Sequence, residues 1–392
     1  MNRQKQFRFI TLLLLFLLES VKASLGQVGS YFNLLLPYEM QGMTGRRIGG
    51  VTVALPDEIP AVVSNPANLA HLTHTVIFLS IRNTRTKLSF KETDTKETSS
   101  QTWYQTDVPN YTAAALPFNA FKRSWVIAAA YNGKQFWEFD GSHLGERQNS
   151  TSTIERKGDI QSASLGFAGH ISSNISLGVG WTKWFGKNKW NLNGSHSESG
   201  NGSLDYTGQG WQIGLQGQFT RLSVGAVIYF PHELMTGSSL FRDELIRAGE
   251  LQHSQEFNGA LNLGVAYHLS SHWTIGFGYG YQKSFLFQTQ QGQWHYQERF
   301  KGSSKFSGGV EYDLAFNKAH LPLYLGYQRY QMPKSSGHSP FGFLLMSKSD
   351  KDLIQNELVL GASLIFKTFG FYFDTKWTRS SFHIDGLPPP WF

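Results

Sequence analysis

The sequence predicts an all-β fold, a transmembrane antiparallel β-barrel of about 14 strands, thirteen of them clear and the last degenerate. Three observations carry this. Apolar and small or polar residues alternate with period two over runs of about ten residues, longer than an ordinary soluble strand and matched to a tilted strand crossing a bilayer. The connections alternate between short turns and long polar stretches. The chain of 392 residues holds 11 Trp, 16 Tyr and 30 Phe beside 40 Gly, yet only 16% of it is charged. Its mean hydropathy is −0.29. That value excludes a multi-helix membrane protein, whose spans would each need about 20 apolar residues in a row.

The alternation is plainest from Asn174 to Trp184, where Ile175, Leu177, Val179 and Trp181 share one parity and Ser176, Gly178, Gly180 and Thr182 the other. Trp211, Ile213, Leu215 and Phe219 repeat it against Gln212, Gly214, Gln216 and Gln218, and Trp273, Ile275, Phe277 and Tyr279 against Thr274, Gly276, Gly278 and Gly280. On this basis strands are expected near 75–82, 111–118, 123–131, 160–171, 174–184, 205–219, 222–230, 256–269, 273–285, 305–316, 321–332, 357–366 and 369–377. A fourteenth, poorly formed strand is expected around 381–385, ahead of Pro388, Pro389 and Pro390. Long external loops are expected at 186–203, 231–253, 288–304 and 333–356. The competing reading is a large secreted β-sandwich or soluble barrel, which gives no reason for every long loop to fall on one side.

At the amino end, Arg3, Lys5 and Arg8 precede the apolar run Phe9 to Leu18, and Val21-Lys22-Ala23 follows as a small-x-small cleavage pattern. Residues 1–23 therefore read as a secretory signal peptide. The absence of Cys removes disulfides, thiol nucleophiles and Cys-based zinc sites from consideration. The net charge of +7 is spread without a block of five or six Lys and Arg, so nucleic acid is not an expected partner. No metal-ligand cluster, phosphate-binding loop or catalytic triad signature is visible, and no catalytic residue, metal or cofactor is assigned.

Residues 24–74 do not alternate. They carry Gly42, Gly45, Gly49 and Gly50, then the run from Leu55 to Pro60, and then Val63-Ser64-Asn65-Pro66-Ala67-Asn68-Leu69-Ala70 directly before the first strand. This stretch resembles the amino-terminal hatch of the FadL-type outer-membrane transporters of long-chain fatty acids and aromatic hydrocarbons. The triplet Asn65, Pro66, Ala67 carries the likeness, with support from 321–327 and 358–366. Asn68, Pro56 and Pro60 depart from the family's pattern. The resemblance implies a hatch over 24–74 inside a barrel over 75–392, and a location in the bacterial outer membrane as a monomer among outer-membrane lipid. It also implies passive uptake of a hydrophobic small molecule such as a long-chain fatty acid. Read from the residues alone, Asn65 is an N-cap and Pro66 the first residue of a short helix.

Within 231–253, Leu234, Phe241, Leu245 and Ala248 recur at helical spacing and Gly249 can end a helix. Leu234, Phe241 and Leu245 are candidates for external ligand capture; the plainer reading is a loop helix packed on the rim. Tyr229, Tyr324 and Tyr372 face the lumen by parity. Arg46 and Arg47 are candidates for holding a fatty carboxylate or for gating through Glu311, Asp313 and Asp374, which point inward by parity. Two other functions stand beside uptake. One is a family relative serving as a structural or secretion-associated interaction protein, and the other is a general porin.

Overall fold

The computed structural model describes residues 51, 53–55, 59–91, 98–121, 123–132, 138–142, 153–193, 199–240, 250–291, 294–316, 319–331, 354–366 and 370–381. The expected signal peptide, Arg46, Arg47, Phe241, Leu245 and the fourteenth strand beyond Ser381 lie outside these residues.

Two 3-10 helices, η1 (Ile59–Val62) and η2 (Pro66–His71), precede a single antiparallel sheet. Its segments in order are β1 (Val76–Lys91), β2 (Thr98–Ala120), β3 (Arg123–Asn132), β4 (Glu138–Ser142), β5 (Thr153–His170) and β6 (Ile175–Asn193). They continue with β7 (Ser199–Gln218), β8 (Leu222–Tyr229), β9 (His232–Leu240), β10 (Glu250–Phe257), β11 (Ala260–His268) and β12 (Trp273–Gln282). The last are β13 (Phe285–Gln291), β14 (Trp294–Phe300), β15 (Ser303–Ala315), β16 (Ala319–Gln331), β17 (Ile354–Phe366) and β18 (Gly370–Ser381).

Several segments are the two halves of one path. The lower end of β5 pairs with β3 and its upper end with β4. Likewise β7 pairs with both β8 and β9, and β11 and β10 continue the ladder to β12 and β13. Joining β3 with β4, β8 with β9, β10 with β11, β12 with β13 and β14 with β15 reduces the segments to thirteen paths among the described residues. These are the thirteen read from the sequence. With an odd number of antiparallel paths, β1 and β18 run in the same direction, and among the described residues no register joins them.

Burial follows parity. In β8 Ser223, Gly225, Val227 and Tyr229 are buried while Leu222, Val224 and Ile228 are exposed. On the outer face most of the exposed large apolar residues fall in the half nearest the short turns, including Ile175, Leu177 and Val179 on β6 and Trp211, Ile213 and Leu215 on β7. Aromatic pairs bound this belt, Trp211 with Phe219 and Trp273 with Tyr281. Eight residues at ~3.3 Å rise, tilted by ~40°, span ~20 Å, near the belt height of a transmembrane barrel.

Beyond the belt the structure corrects the sequence reading. The expected loops at 186–203, 231–253 and 288–304 are largely strand. The β6–β7 ladder stays in register from Ile175–Gly217 up to Asn193–Ser199. The helix expected within 231–253 gives way over the described residues to β9 and β10, which pair antiparallel. There Leu234 is buried while its neighbours Glu233 and Met235 are exposed, the period of a strand.

Candidate functional site: the hatch seat and the aromatic layer above it

Hatch residues lie against the inner face of the sheet. Helices η1 and η2 pack on β2, β3, β5, β6 and β7. Val51, Val53 and Ala54 approach β8, β11 and β12. Asn65 begins η2 from an extended backbone (φ −145°, ψ 99°), and its Oδ1 accepts from the N–H of Ala67 at 3.2 Å. Pro66 supplies the first helical residue without a donor to satisfy. The Asn65 amide also donates to Val53 O at 2.7 Å and to Leu215 O of β7 at 3.2 Å. One fully buried side chain therefore caps the helix, ties it to the preceding hatch segment and ties both to the wall.

The wall makes room for this contact with glycine and answers it with amides. A Cβ at Gly214 would overlap Asn65 Oδ1, and one at Gly178, which pairs with Gly214, would overlap the Pro66–Ala67 peptide. Gly225 stands in the same relation to the Val53 carbonyl. Hatch carbonyls receive bonds from Gln212 (Val62 O, 2.7 Å), Gln216 (Ala54 O, 2.9 Å) and Tyr229 (Ser64 O, 2.9 Å). Asn68, which departs from the family's pattern, donates to Leu55 O at 2.7 Å. Burying these carbonyls unpaired would cost about 1–3 kcal/mol each, so the wall amides are necessary for the seat.

The seat has an apolar side. Ala61, Val62, Leu69 and Leu72 of the hatch pack on Phe78, Tyr111, Ala113, Ala115, Val126, Ala128, Ala130 and Ala168 of β1, β2, β3 and β5. Alanines let the hatch come close where the opposite wall uses glycine. Elsewhere the buried inner wall is polar, with Gln282, Ser303, Ser307, Glu311 and Gln328.

Where the hatch ends near the short turns, His71 of η2 meets His170 of β5 edge to face, ring centroids 5.0 Å apart. Burial first, and the His170 ring second, push the His71 pKa down to about 4.

Above the hatch, on the side of the long hairpins, Trp184 of β6, His232 of β9 and Phe257 of β10 stack. Their successive centroid separations are 4.8 and 5.0 Å and their planes lie within 19°. Tyr206, Leu234 and Phe300 are buried there too. The register carries the row across the wall, pairing His232 with Phe257, Phe257 with Phe285 and Phe285 with Phe300.

Of the sequence candidates, Asn65, Pro66 and Ala67 lie together against β6 and β7 of the wall. Leu234 faces inward on β9 beneath the long hairpins, and not outward on a helix. Tyr229 and Tyr324 are buried on inner parity, as is Glu311, and Asp313 bonds His320 at 3.0 Å. The side chains of Tyr372 and Asp374 lie outside the described residues. Sequence reasoning missed Gln212, Gln216, the His71–His170 pair and the Trp184–His232–Phe257 stack. Their signal was inward parity at glycine-rich positions, legible only once the register is known. Among the described residues no three His, Cys, Asp or Glu side chains gather as metal ligands.

No model of a known protein family matches the chain, and no curated protein sequence does. Solved structures do. A FadL homologue from Pseudomonas aeruginosa aligns with a TM-score of 0.55 at 12% identity, over 87% of this chain and 89% of its own. The deltaS2 mutant of the TodX monoaromatic hydrocarbon channel aligns at 0.52 and 13%, over 88% and 100%. The CymD monoaromatic hydrocarbon channel aligns at 0.50 and 13%, over 87% and 93%. The architecture is thus a β-barrel wall around an amino-terminal hatch. More particularly, this chain has the FadL-type fold.

Proposed function

We propose that the protein is a bacterial outer-membrane channel for passive uptake of hydrophobic small molecules, with long-chain fatty acids and monoaromatic hydrocarbons as the substrate classes to test. The observation that carries this reading is the stack of Trp184, His232 and Phe257 above a seated hatch, with Trp184 and Phe257 buried. An apolar solute entering from the long hairpins meets aromatic faces, which suit flat rings and acyl chains. The alanine wall under η1 and η2 offers an apolar surface below, once the hatch shifts. Leu234, Phe241 and Leu245 serve capture in this reading, and Arg46 and Arg47 engage a carboxylate or inner-wall acids. A general porin is the reading these buried inner faces argue against, since it needs an open polar lumen.

The test is uptake of labelled toluene and oleate into vesicles holding the purified chain, with Trp184→Ala and the double variant Arg46→Ala/Arg47→Ala alongside. Trp184→Ala is expected to slow both solutes, and the arginine pair to slow oleate alone. Equal passage of small sugars and toluene would overturn the proposal.

A further inference from the structure

The joint between His71 and His170 has a property that seating the hatch does not require. His71 Nε2 and His170 Nδ1 are both buried without a hydrogen-bond partner, and so is Ser176 Oγ, on the residue that pairs with His170 across β5 and β6. Two unpaired ring nitrogens thus belong to the contact where the last turn of the hatch touches β5, and a third unpaired atom lies on the neighbouring strand. At His71 the neutral imidazole is favoured over the imidazolium, because a charge taken out of water needs a counter-ion or acceptors.

Among the described residues, no counter-charge is supplied by the elements that pack on η2. Helix η1 has no ionisable residue. On β3 Arg123 is exposed and outward by parity, and Tyr131 bonds Gln161. On β5 the remaining ionisable residues, Glu155, Arg156, Lys157 and Asp159, lie in the half nearest the long hairpins, as do Lys187 and Lys189 of β6 and Asp205 and Tyr206 of β7, while Lys183 of β6 is outward by parity and donates to Thr207. His74, the last residue of the hatch, is exposed and bonds Thr73.

We infer that His71 and His170 form a proton-sensitive latch, which holds the carboxyl end of the hatch against β5 when neutral and releases it when His71 takes up a proton. This goes beyond the uptake reading and rests on the position of the hatch alone. Docking lowers the affinity of His71 for its proton, from an ordinary value of 6.5 to about 4. The stabilisation is therefore fully present above pH 6.5 and is lost as the pH falls toward 4.

The chain has no Cys, so Ala70→Cys places a single thiol beside His71, at a position only 4% exposed when the hatch is seated. Its maleimide labelling rate in lipid vesicles, divided into that of the urea-unfolded chain at the same pH, gives a protection factor free of thiol ionisation. Between pH 7.5 and 5.5 that factor is expected to fall by about tenfold. His71→Gln in the same background should flatten the profile. His170→Gln should keep most of the slope, because burial and not the second ring is the main cause. Gel mobility before and after heating verifies that each barrel is folded. A protection factor that changes less than twofold, or a slope that persists in His71→Gln, overturns the latch. Neither result bears on whether toluene passes, so failure of the latch and failure of the uptake reading remain separate.

Discussion

Asn65→Ala should unseat the hatch without unfolding the wall. The substitution removes the cap bond to the Ala67 N–H and the two bonds to Val53 O and Leu215 O. Loss of an Asn cap costs about 1 kcal/mol. Val53 O, held in a buried contact at 2.7 Å, is then left unpaired, at about 1–3 kcal/mol. The Leu215 bond is longer and only part-buried, and adds little. The total is about 2–4 kcal/mol against docking, which at about 1.4 kcal/mol per decade is a shift of roughly 30- to 1000-fold. The Ala70→Cys reporter at pH 7.5 reads this directly as a fall in protection. Asn65→Ser, which keeps the cap oxygen and loses the amide donors, should fall between the two. If Asn65→Ala changes protection by less than about threefold in a chain whose gel mobility still shifts on heating, the motif does not hold the hatch.

Gly214→Val should act like Asn65→Ala, since its side chain would occupy the space of Asn65 Oδ1; hydrogen exchange of the hatch amides would show it. Leu215 and Gln216 are sequence neighbours with opposite duties, one exposed in the middle of the apolar belt and one buried and bonded to Ala54 O. Leu215→Lys should lower barrel stability by about 2–4 kcal/mol in urea titrations of vesicle-inserted protein. Gln216→Ala should instead leave that midpoint nearly unchanged and lower Ala70→Cys protection. Replacing residues 188–204 with a two-residue Asn-Gly turn should leave heat-modifiable mobility intact, because that hairpin stands above the belt. Its ion pair, Lys187 with Asp205 at 3.0 Å, is half exposed and contributes about 1 kcal/mol or less.

Sequence showed most clearly the features set by two unlike solvents. Between Trp211 and Phe219 the outer residues face lipid and the inner ones face Gln- and Gly-lined wall, so period two is written into hydrophobicity. Above the belt both faces meet water or other protein, and the ladder of Lys187, Asn188 and Lys189 with Asp205, Leu204 and Ser203 continues with no apolar signal. Those stretches read as loops for that reason alone. The helical spacing of Leu234, Phe241 and Leu245 misled at Leu234, because pairing to Gly208 and Gln255 outweighs a spacing match in a short window. Asn65 was legible as a cap, since capping is local. Its bond to Leu215 was not, being 150 residues distant in the chain. The same holds for His71 with His170 and for Trp184, His232 and Phe257, which only the register unites.

The wall itself separates the hatch seat from the aromatic layer. Four neighbouring paths interrupt their strands at Phe230–Pro231, Asn258–Gly259, Lys283–Ser284 and Lys301–Gly302, and bonds cross these breaks from Phe230 N to Trp211 O, Lys283 N to Gly259 O and Asn258 Nδ2 to Ser284 O. Below this line lie the apolar belt and the hatch; just above it lies the stack that includes His232 and Phe257. The line depends on Gly259, whose φ of +91° is one that other residues rarely adopt and where a Cβ would sit 2.6 Å from Tyr229 O. Gly259→Ala must rotate the backbone two residues from Phe257, at a cost of at least about 1–2 kcal/mol. If the break line insulates the two layers, this variant should weaken retention of toluene in the purified protein while Ala70→Cys protection stays within about twofold of its starting value. Asn65→Ala should do the reverse, and the double variant should show the two losses added without coupling. Loss of hatch protection in Gly259→Ala alone would mean that the layers move as one body, and that the aromatic stack acts on the hatch through the wall.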